Sequence, residues 1–316
     1  MDRSNPCEVA QAIGKLGVWK VAAAHNWALL PAGAGEPWLA SAVAGERENS
    51  PSRLLLFPGW RAFHCYLITR QNADFWVAAS PEDIPHIEAV FPQGGEPVVL
   101  EFGEGYVHAP VSGGKAALAA AMLYECFGLF MRFESDPGLA MKYASERALF
   151  ARRQEPDGKW CDCALPLPEK PPQFVEKVSL RKDLLERAKD LPFDQSLKLE
   201  LDFGRLPNVQ TNEPRPRAIY LFAAVDAGSG GRYAWRTMVA SGAQDGLLAL
   251  WQSLAQQLLE RIVADGKVPG EVSVRSMRMV RFLRPLGMHL PFKLVVHANL
   301  PALDSEVRRA LAEKRI

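Results

Sequence analysis

Three carboxylates in the last third of the sequence have residue types and positions that suit metal-dependent phosphoryl transfer. Asp226 ends a strand-like apolar run, and Asp304 and Glu306 open the last amphipathic segment. Enzymes of this kind need several carboxylates that converge on two divalent ions about 3.5–4 Å apart. The pattern is incomplete, because Arg275 and Ser276 stand at the end of the strand-like run 271–275, where an acid would be expected.

Two of these acids also have an ordinary structural interpretation. Asp226 precedes the residues AGSGG, and aspartate is favoured where a turn begins. Asp304 has a side chain of the type that caps helix N-termini. Two hypotheses therefore follow. One is a binding or interaction protein with no catalytic site and no cofactor, and we favour it because no complete catalytic set can be assembled. The alternative is a metal-dependent phosphodiesterase or nuclease that uses Mg²⁺ or Mn²⁺ at Asp226 with Asp304 or Glu306.

A group of arginines near the C-terminus is the best candidate for a binding surface. Residues 270–316 contain nine Arg or Lys residues against four Asp or Glu residues, and Arg278, Arg281 and Arg284 recur every third residue. On a helix this spacing produces one broad face that could meet nucleic-acid phosphates or an acidic protein, although it also suits a solvated face. The whole chain has a net charge of only +1, so any such partner needs a local patch.

A second anion site is conceivable at Ser112–Lys115, where two glycines and Lys115 open a predicted helix. This is not a P-loop, because Ala109 replaces the earlier glycine and Ala116 replaces the magnesium-binding Ser or Thr. The glycines of residues 228–231 precede a strand, so we interpret them as a hairpin turn.

The cysteines and histidines form no recognisable metal or nucleophile motif. Five dispersed cysteines indicate reduced thiols, with redox pairing or a shared metal left open for Cys161 and Cys163. His64 and Cys65 are adjacent in a run that we predict to be a strand, so they would face opposite sides. The thiols are Cys7, Cys65, Cys126, Cys161 and Cys163.

The first half reads as a strand-rich α+β domain. We expect a helix over residues 80–90 because SPED supplies an N-cap, an early proline and two acids. An apolar helix follows over Lys115–Met131, too short for a bilayer, and then a second helix over Pro137–Ala151. The expected strands are Val18–Ala24, Trp27–Pro31, Trp38–Val43, Arg53–Phe57, Ala62–Thr69, Asp74–Ala79, Pro97–Phe102 and Tyr106–Ala109.

The second half has a clearer pattern. Residues 154–173 contain five prolines and suggest a linker, followed by a charged helical stretch over 174–190. The helix Gln244–Ala264 carries an apolar stripe at helical spacing. Strands are expected at Leu197–Phe203, Arg217–Asp226, Tyr233–Ser241, Glu271–Arg275 and Lys293–His297, and helices at Met277–Leu286 and Asp304–Lys314.

These elements predict an α+β chain of two domains. We expect a strand-rich domain over residues 1–165, a linker and connecting helix over 166–194, and a mixed-sheet domain over 195–316. The order hairpin, helix, strand, helix, strand, helix in the last part is similar to the ribonuclease H-like architecture, an analogy of fold that carries no chemistry by itself.

Three segments resemble the C-terminal module of an uncharacterised bacterial family. They are GKVPGEVSV (266–274), FLRPLGMHL (282–290) and LPALDSEVRRAL (300–311), and the resemblance covers roughly the last 75 to 100 residues. It implies a preceding α+β domain but no activity, so no catalytic residue follows from it. The N-terminus MDRSNPCEVAQ has no signal-peptide pattern, which favours a cytoplasmic protein without a membrane partner.

Overall fold

A computed structural model describes residues 2–17, 19, 25–45, 50–71, 83–169, 177–241 and 246–313. The chain is α+β and divides into two compact units whose segments alternate in sequence. The N-terminal unit comprises residues 1–67, 84–103 and 108–173, and the C-terminal unit comprises residues 68–83, 104–107 and 174–316.

The N-terminal unit is built on one eight-stranded sheet. Its strand order is β6-β5-β4-β3-β2-β1-β7-β8, and every pairing is antiparallel except that of β1 with β7. In chain order the elements are α1 (Pro6–Leu16), β1 (Asn26–Leu30), β2 (Trp38–Val43), β3 (Ser52–Pro58), α2 (Gly59–Gln71), β4 (His86–Phe91), β5 (Val98–Phe102), β6 (Ala109–Pro110), α3 (Gly113–Ser135), β7 (Ala148–Gln154) and β8 (Trp160–Pro166).

Helices α1 and α3 cover one face of this sheet. The Asn5 side chain accepts a hydrogen bond from the Cys7 amide and so caps α1. Phe130 and Phe133 of α3 meet the buried ring of Trp27 edge-on at centroid distances of 5.5 and 5.7 Å. By length and composition α3 could cross a membrane, but eight of its residues are buried inside the protein.

The C-terminal unit contains a mixed five-stranded sheet with helices on both faces. Its order is β11-β10-β9-β12-β13, in which β9, β10 and β11 pair antiparallel, whereas β12 runs parallel to both β9 and β13. The elements are α4 (Lys182–Lys189), β9 (Phe193–Gln210), β10 (Ala218–Asp226), β11 (Arg232–Val239), α5 (Gly246–Asp265), β12 (Val268–Val274), α6 (Met277–Gly287), β13 (Lys293–Val296) and α7 (Pro301–Ala312).

Strand alternation divides the hydrophobic side chains of this sheet between two cores. Helices α4, α5 and α6 pack on one face, against residues that include Leu201, Phe222 and Val272. Helix α7 packs on the other, against Leu221, Ala223 and Val225. The predicted stripe of α5 is fully buried in the first core: Leu247, Trp251, Leu254, Leu258 and Ile262.

Two short segments from the first half of the chain complete the C-terminal unit. The hydroxyl of Tyr220 donates to the buried carboxylate of Asp83 at 2.5 Å. The Glu104 carboxylate accepts from the Leu247 amide at 2.8 Å, where α5 begins. Tyr106 forms an isolated antiparallel bridge with Arg217.

The structure corrects several predicted elements of the first half. The run Ala62–Thr69 belongs to helix α2 and is not a strand, because Gly59 adopts φ 76° and turns the chain directly from β3 into a helix. His86–Phe91, expected at the end of a helix, is strand β4. Its side chains do alternate, with His86 and Glu88 on one face and Ile87, Ala89 and Phe91 on the other, but the helix-start residues SPED outweighed that pattern in the prediction.

The region around residue 150 was also predicted wrongly. Residues 137–151 were expected to form a helix, but they contain two 3₁₀ turns, Leu139–Met141 and Ala144–Glu146, and the start of β7. Part of the expected linker is β8, which pairs with β7 across a turn at Gly158. The strand expected over Asp74–Ala79, and Val18–Ala24 apart from Trp19, lie outside the described residues.

We predict that the thiols differ sharply in reactivity. Burial raises the pKa of Cys126 to about 12, so it has almost no reactive thiolate near neutral pH. Cys7 and Cys161 are exposed. Treatment of the folded protein with N-ethylmaleimide should modify Cys7 and Cys161 first, and mass spectrometry should show Cys126 unmodified until guanidinium unfolds the chain. Modification of Cys126 as fast as that of Cys7 would contradict this packing.

Candidate functional site

Acidic residues collect on the face of the C-terminal sheet that α7 covers. In β9 the apolar side chains of Leu199, Leu201 and Phe203 enter the core beneath α5, so the intervening Glu200 and Asp202 point to the opposite face. Helix α7 brings two more acids to this face. The result is a group of carboxylates that the sequence scatters over about a hundred residues: Glu200, Asp202, Asp304 and Glu306.

Arg275 lies at the centre of this group. Its Nε donates to Asp202 Oδ2 at 2.8 Å, and one terminal nitrogen donates to Asp304 Oδ1 at 2.5 Å. The other terminal nitrogen donates to the main-chain oxygen of Ala298 at 3.1 Å. The arginine that stands where an acid was expected therefore holds two carboxylates on one guanidinium.

The partial burial of Asp202 makes this ion pair electrostatically important. Removal from water raises the pKa of Asp202, while the hydrogen bond and charge of Arg275 oppose that rise. The Phe203 amide donates to the other carboxylate oxygen at 2.9 Å. Arg275 thus compensates a charge that the fold has moved away from solvent.

The remaining two acids fasten α7 to the sheet. Glu200 is buried, and its Oε2 accepts from the Leu303 amide at 2.9 Å in the first turn of α7. Glu306 is only 5% exposed and accepts from Arg232 at 2.5 Å and from Arg309 at 2.5 and 2.8 Å. Each acid therefore has a structural partner.

A cavity of about 440 Å³ opens beside the Arg275 ion pairs. Aliphatic residues of β9, β10 and α7 line much of it, namely Leu206, Leu221, Ala223, Leu303 and Val307. The charged lining comes from Asp202, Arg205, Arg275, Asp304 and Arg308. Its size is within the range of small-molecule pockets.

The carboxylate of Asp226 forms hydrogen bonds within its own turn. It accepts from the Gly228 amide at 3.0 Å and from the Ser229 hydroxyl at 2.7 Å. These bonds are those of an aspartate that initiates a hairpin turn. Asp304 is not the N-cap of α7, because the helix already begins at Pro301. Within the described ranges, no group of three or more His, Cys, Asp or Glu side chains is arranged to hold a metal ion.

The structure places the three candidate arginines of α6 in different environments. Arg278 is buried, with its guanidinium 5.2 Å from the ring centre of Trp251. Arg281 and Arg284 are exposed. The exposed arginine face is therefore smaller than the three-residue spacing suggests.

The other candidates of the N-terminal unit have local roles. Lys115 pairs with Glu101 at 2.6 Å, so its charge at the start of α3 is already matched. His64 and Cys65 are neighbours on a helix and not on a strand, and burial lowers the pKa of His64. Cys161 is exposed and Cys163 half-buried on β8, and both are free thiols.

Sequence reasoning missed Glu200 and Asp202. The signal was present, since Leu197, Leu199, Leu201 and Phe203 alternate with polar residues that must face away from the α5 core. The alternation could not reveal that Arg275 lies opposite Asp202, because that depends on the pairing of β12 with β9.

Comparison with protein-family models matches residues 184–311 to a family described as Domain of unknown function (DUF6930). No curated protein matches the chain, and no solved structure matches it. The family match runs from α4 to α7, so it includes all four acids of the α7 face and begins earlier than the last 75 to 100 residues. The C-terminal part of this chain is similar to an uncharacterised family.

Proposed function

We propose that this protein is a non-catalytic binding protein whose C-terminal unit has a ribonuclease H-like architecture. The observation that carries the proposal is the position of Arg275 between Asp202 and Asp304. A guanidinium there supplies one positive charge from within the chain and occupies the place between the two carboxylates that a divalent ion would need.

The architecture is supported by the order of elements on which the analogy rests. An antiparallel hairpin (β10 and β11) is followed by α5, β12, α6, β13 and α7, and these strands form one mixed sheet with β9. Helices lie on both faces of that sheet. This similarity concerns the fold, so the function rests on the site alone.

The acids of the α7 face support binding over catalysis because each one has a structural partner. A metal at Asp202 and Asp304 would have to displace Arg275, and a metal at Glu306 would have to displace two arginines. Metal-dependent phosphoryl transfer needs carboxylates whose oxygens face the ions. The alternative, an Mg²⁺- or Mn²⁺-dependent phosphodiesterase at Asp226, is less well supported because the Asp226 carboxylate is bonded within its own turn.

We also propose that the protein works in the bacterial cytoplasm. The bacterial assignment rests on the resemblance of the three C-terminal segments, and five free thiols suit a reducing compartment.

A divalent-ion titration tests the proposal. We expect Mg²⁺ and Mn²⁺ to leave the thermal unfolding midpoint of the wild-type protein unchanged and to support no cleavage of DNA, RNA or a nitrophenyl phosphodiester. Arg275→Met should lower the free energy of unfolding by about 1–3 kcal/mol, because it leaves two carboxylates without their partner. Mn²⁺ should restore part of that loss by binding Asp202 and Asp304, which no longer have their guanidinium partner in this variant.

Matched variants make the titration decisive. Arg284→Met removes an exposed arginine from α6 and should change neither stability nor the response to Mn²⁺. The proposal fails if the wild-type protein gains stability or cleaves a phosphodiester with Mn²⁺ and loses that property in Asp226→Ala or Asp202→Asn.

The assignment of Glu306 to helix docking predicts a pH dependence. Burial by itself would raise the pKa of Glu306, but the hydrogen bonds from Arg232 and Arg309 outweigh it and hold this pKa below its usual value near 4.5. As the pH falls, Glu306 therefore takes up its proton in the unfolded chain before it does so in the folded protein. The stabilisation is complete above the usual pKa and is lost as the pH falls through the lowered pKa of the folded state.

We expect Glu306→Gln to lower the free energy of unfolding by about 1–2 kcal/mol at pH 7, a modest figure because both arginines are partly exposed. The difference from wild type should shrink below roughly pH 4.5 in urea unfolding curves. A difference that stays constant from pH 7 to pH 3 would show that the charge of Glu306 does not stabilise the fold.

A further inference from the structure

The cavity beside Arg275 is lined, among the described residues, by three arginines, Arg205, Arg275 and Arg308, and by only two carboxylates, Asp202 and Asp304. The two carboxylates both pair with Arg275, and a terminal nitrogen of Arg205 lies 3.5 Å from the Asp83 carboxylate. Arg308, on the same wall, donates its Nε to the main-chain oxygen of Asp304 at 3.1 Å, and among the residues that the structure describes no carboxylate pairs with it. With three arginines against two carboxylates the formal charge of the lining is +1, and Arg308 is the arginine without a carboxylate partner in the described part of the chain.

Much of the remaining lining is aliphatic. Leu206, Leu221 and Ala223 form a floor on the sheet, and Leu303 and Val307 of α7 form the adjoining wall. None of these five side chains can donate or accept a hydrogen bond. A ligand body that covers them would gain from the removal of apolar surface from water, and a polar body would lose its hydrogen bonds there.

We propose that this cavity binds a small amphiphilic anion, with its charged head at Arg308 and an aliphatic or aryl body on the leucine floor. The inference rests on the proposed function, since it names the ligand class of a non-catalytic binding protein. A cavity of about 440 Å³ suits such a molecule, and a guanidinium can form two parallel hydrogen bonds to a carboxylate or a phosphate head. Arg275 stays with its carboxylates and fixes the position of α7, on which Arg308 lies.

Calorimetric titration of the full chain with eight-carbon probes tests this proposal. Sodium octanoate or octyl phosphate should bind with one site per chain, and the tighter of the two identifies the preferred head group. Octan-1-ol, which lacks the charge, and octylammonium, which reverses it, should bind at least about tenfold more weakly, because a charge-assisted hydrogen bond contributes that much affinity. Acetate, which lacks the body, should give no measurable heat.

Three variants locate the site. Arg308→Gln should weaken octanoate binding about tenfold, whereas Arg284→Gln, an exposed arginine outside the cavity, should bind like wild type. Val307→Trp should abolish binding by filling the cavity, with circular dichroism and the unfolding midpoint confirming that the variant is folded. The inference is overturned if neither anion gives saturable binding, if octan-1-ol binds as tightly as octanoate, or if Arg308→Gln has no effect.

The two proposals fail in different experiments. A wild-type protein that is indifferent to Mn²⁺ but binds neither anion refutes only the ligand class. Cleavage of a phosphodiester or stabilisation by Mn²⁺ refutes the non-catalytic function, whatever the titration with octanoate shows.

Discussion

The guanidinium of Arg275 joins the parts of the C-terminal unit that would otherwise repel one another. It bonds a carboxylate on β9, a carboxylate on α7 and a main-chain oxygen between β13 and α7. Two neighbouring carboxylates that are partly removed from water disfavour each other's ionised form, and a cation between them opposes that effect. The face of the sheet beneath α7 therefore depends on this one side chain at the end of β12.

The docking of α7 shows how acids that look catalytic in a sequence can serve the fold. Apolar contacts from Leu300 and Leu303 bury the helix, but such contacts alone do not fix its position along the sheet. Directional hydrogen bonds set that position. Glu200 of β9 accepts a bond from the first turn of the helix, and Asp304 and Glu306 of the helix accept bonds from arginines at the ends of strands in the sheet. Because these bonds use the carboxylates, the same residues are poorly placed to bind a metal.

The sequence predicted the second half of the chain better than the first, for a physical reason. Helix α5 is amphipathic, and the glycines between β10 and β11 mark a hairpin, so local pattern and tertiary structure agree there. Helix α2 is rich in residues that favour strands, and β4 follows the helix-start residues SPED, so the local pattern misled in both. Asp226, Asp304 and Glu306 were chosen by type and spacing. Arg275, the partner of Asp304, and Arg232, one partner of Glu306, are brought to them by strand pairing and helix packing, which spacing does not reveal.

The short segment Glu104–Val107 has a consequence for dividing this protein. It belongs to the C-terminal unit, yet it lies between β5 and β6 of the N-terminal sheet in sequence. A fragment that starts at residue 174 would lose the Glu104 carboxylate from the start of α5 and the Tyr106 bridge to Arg217. The contacts within the chain define two units, but no single cut in the chain separates them. A gene fragment that encodes only the region matched by the family would therefore produce α5 without the Glu104 bond to its first turn.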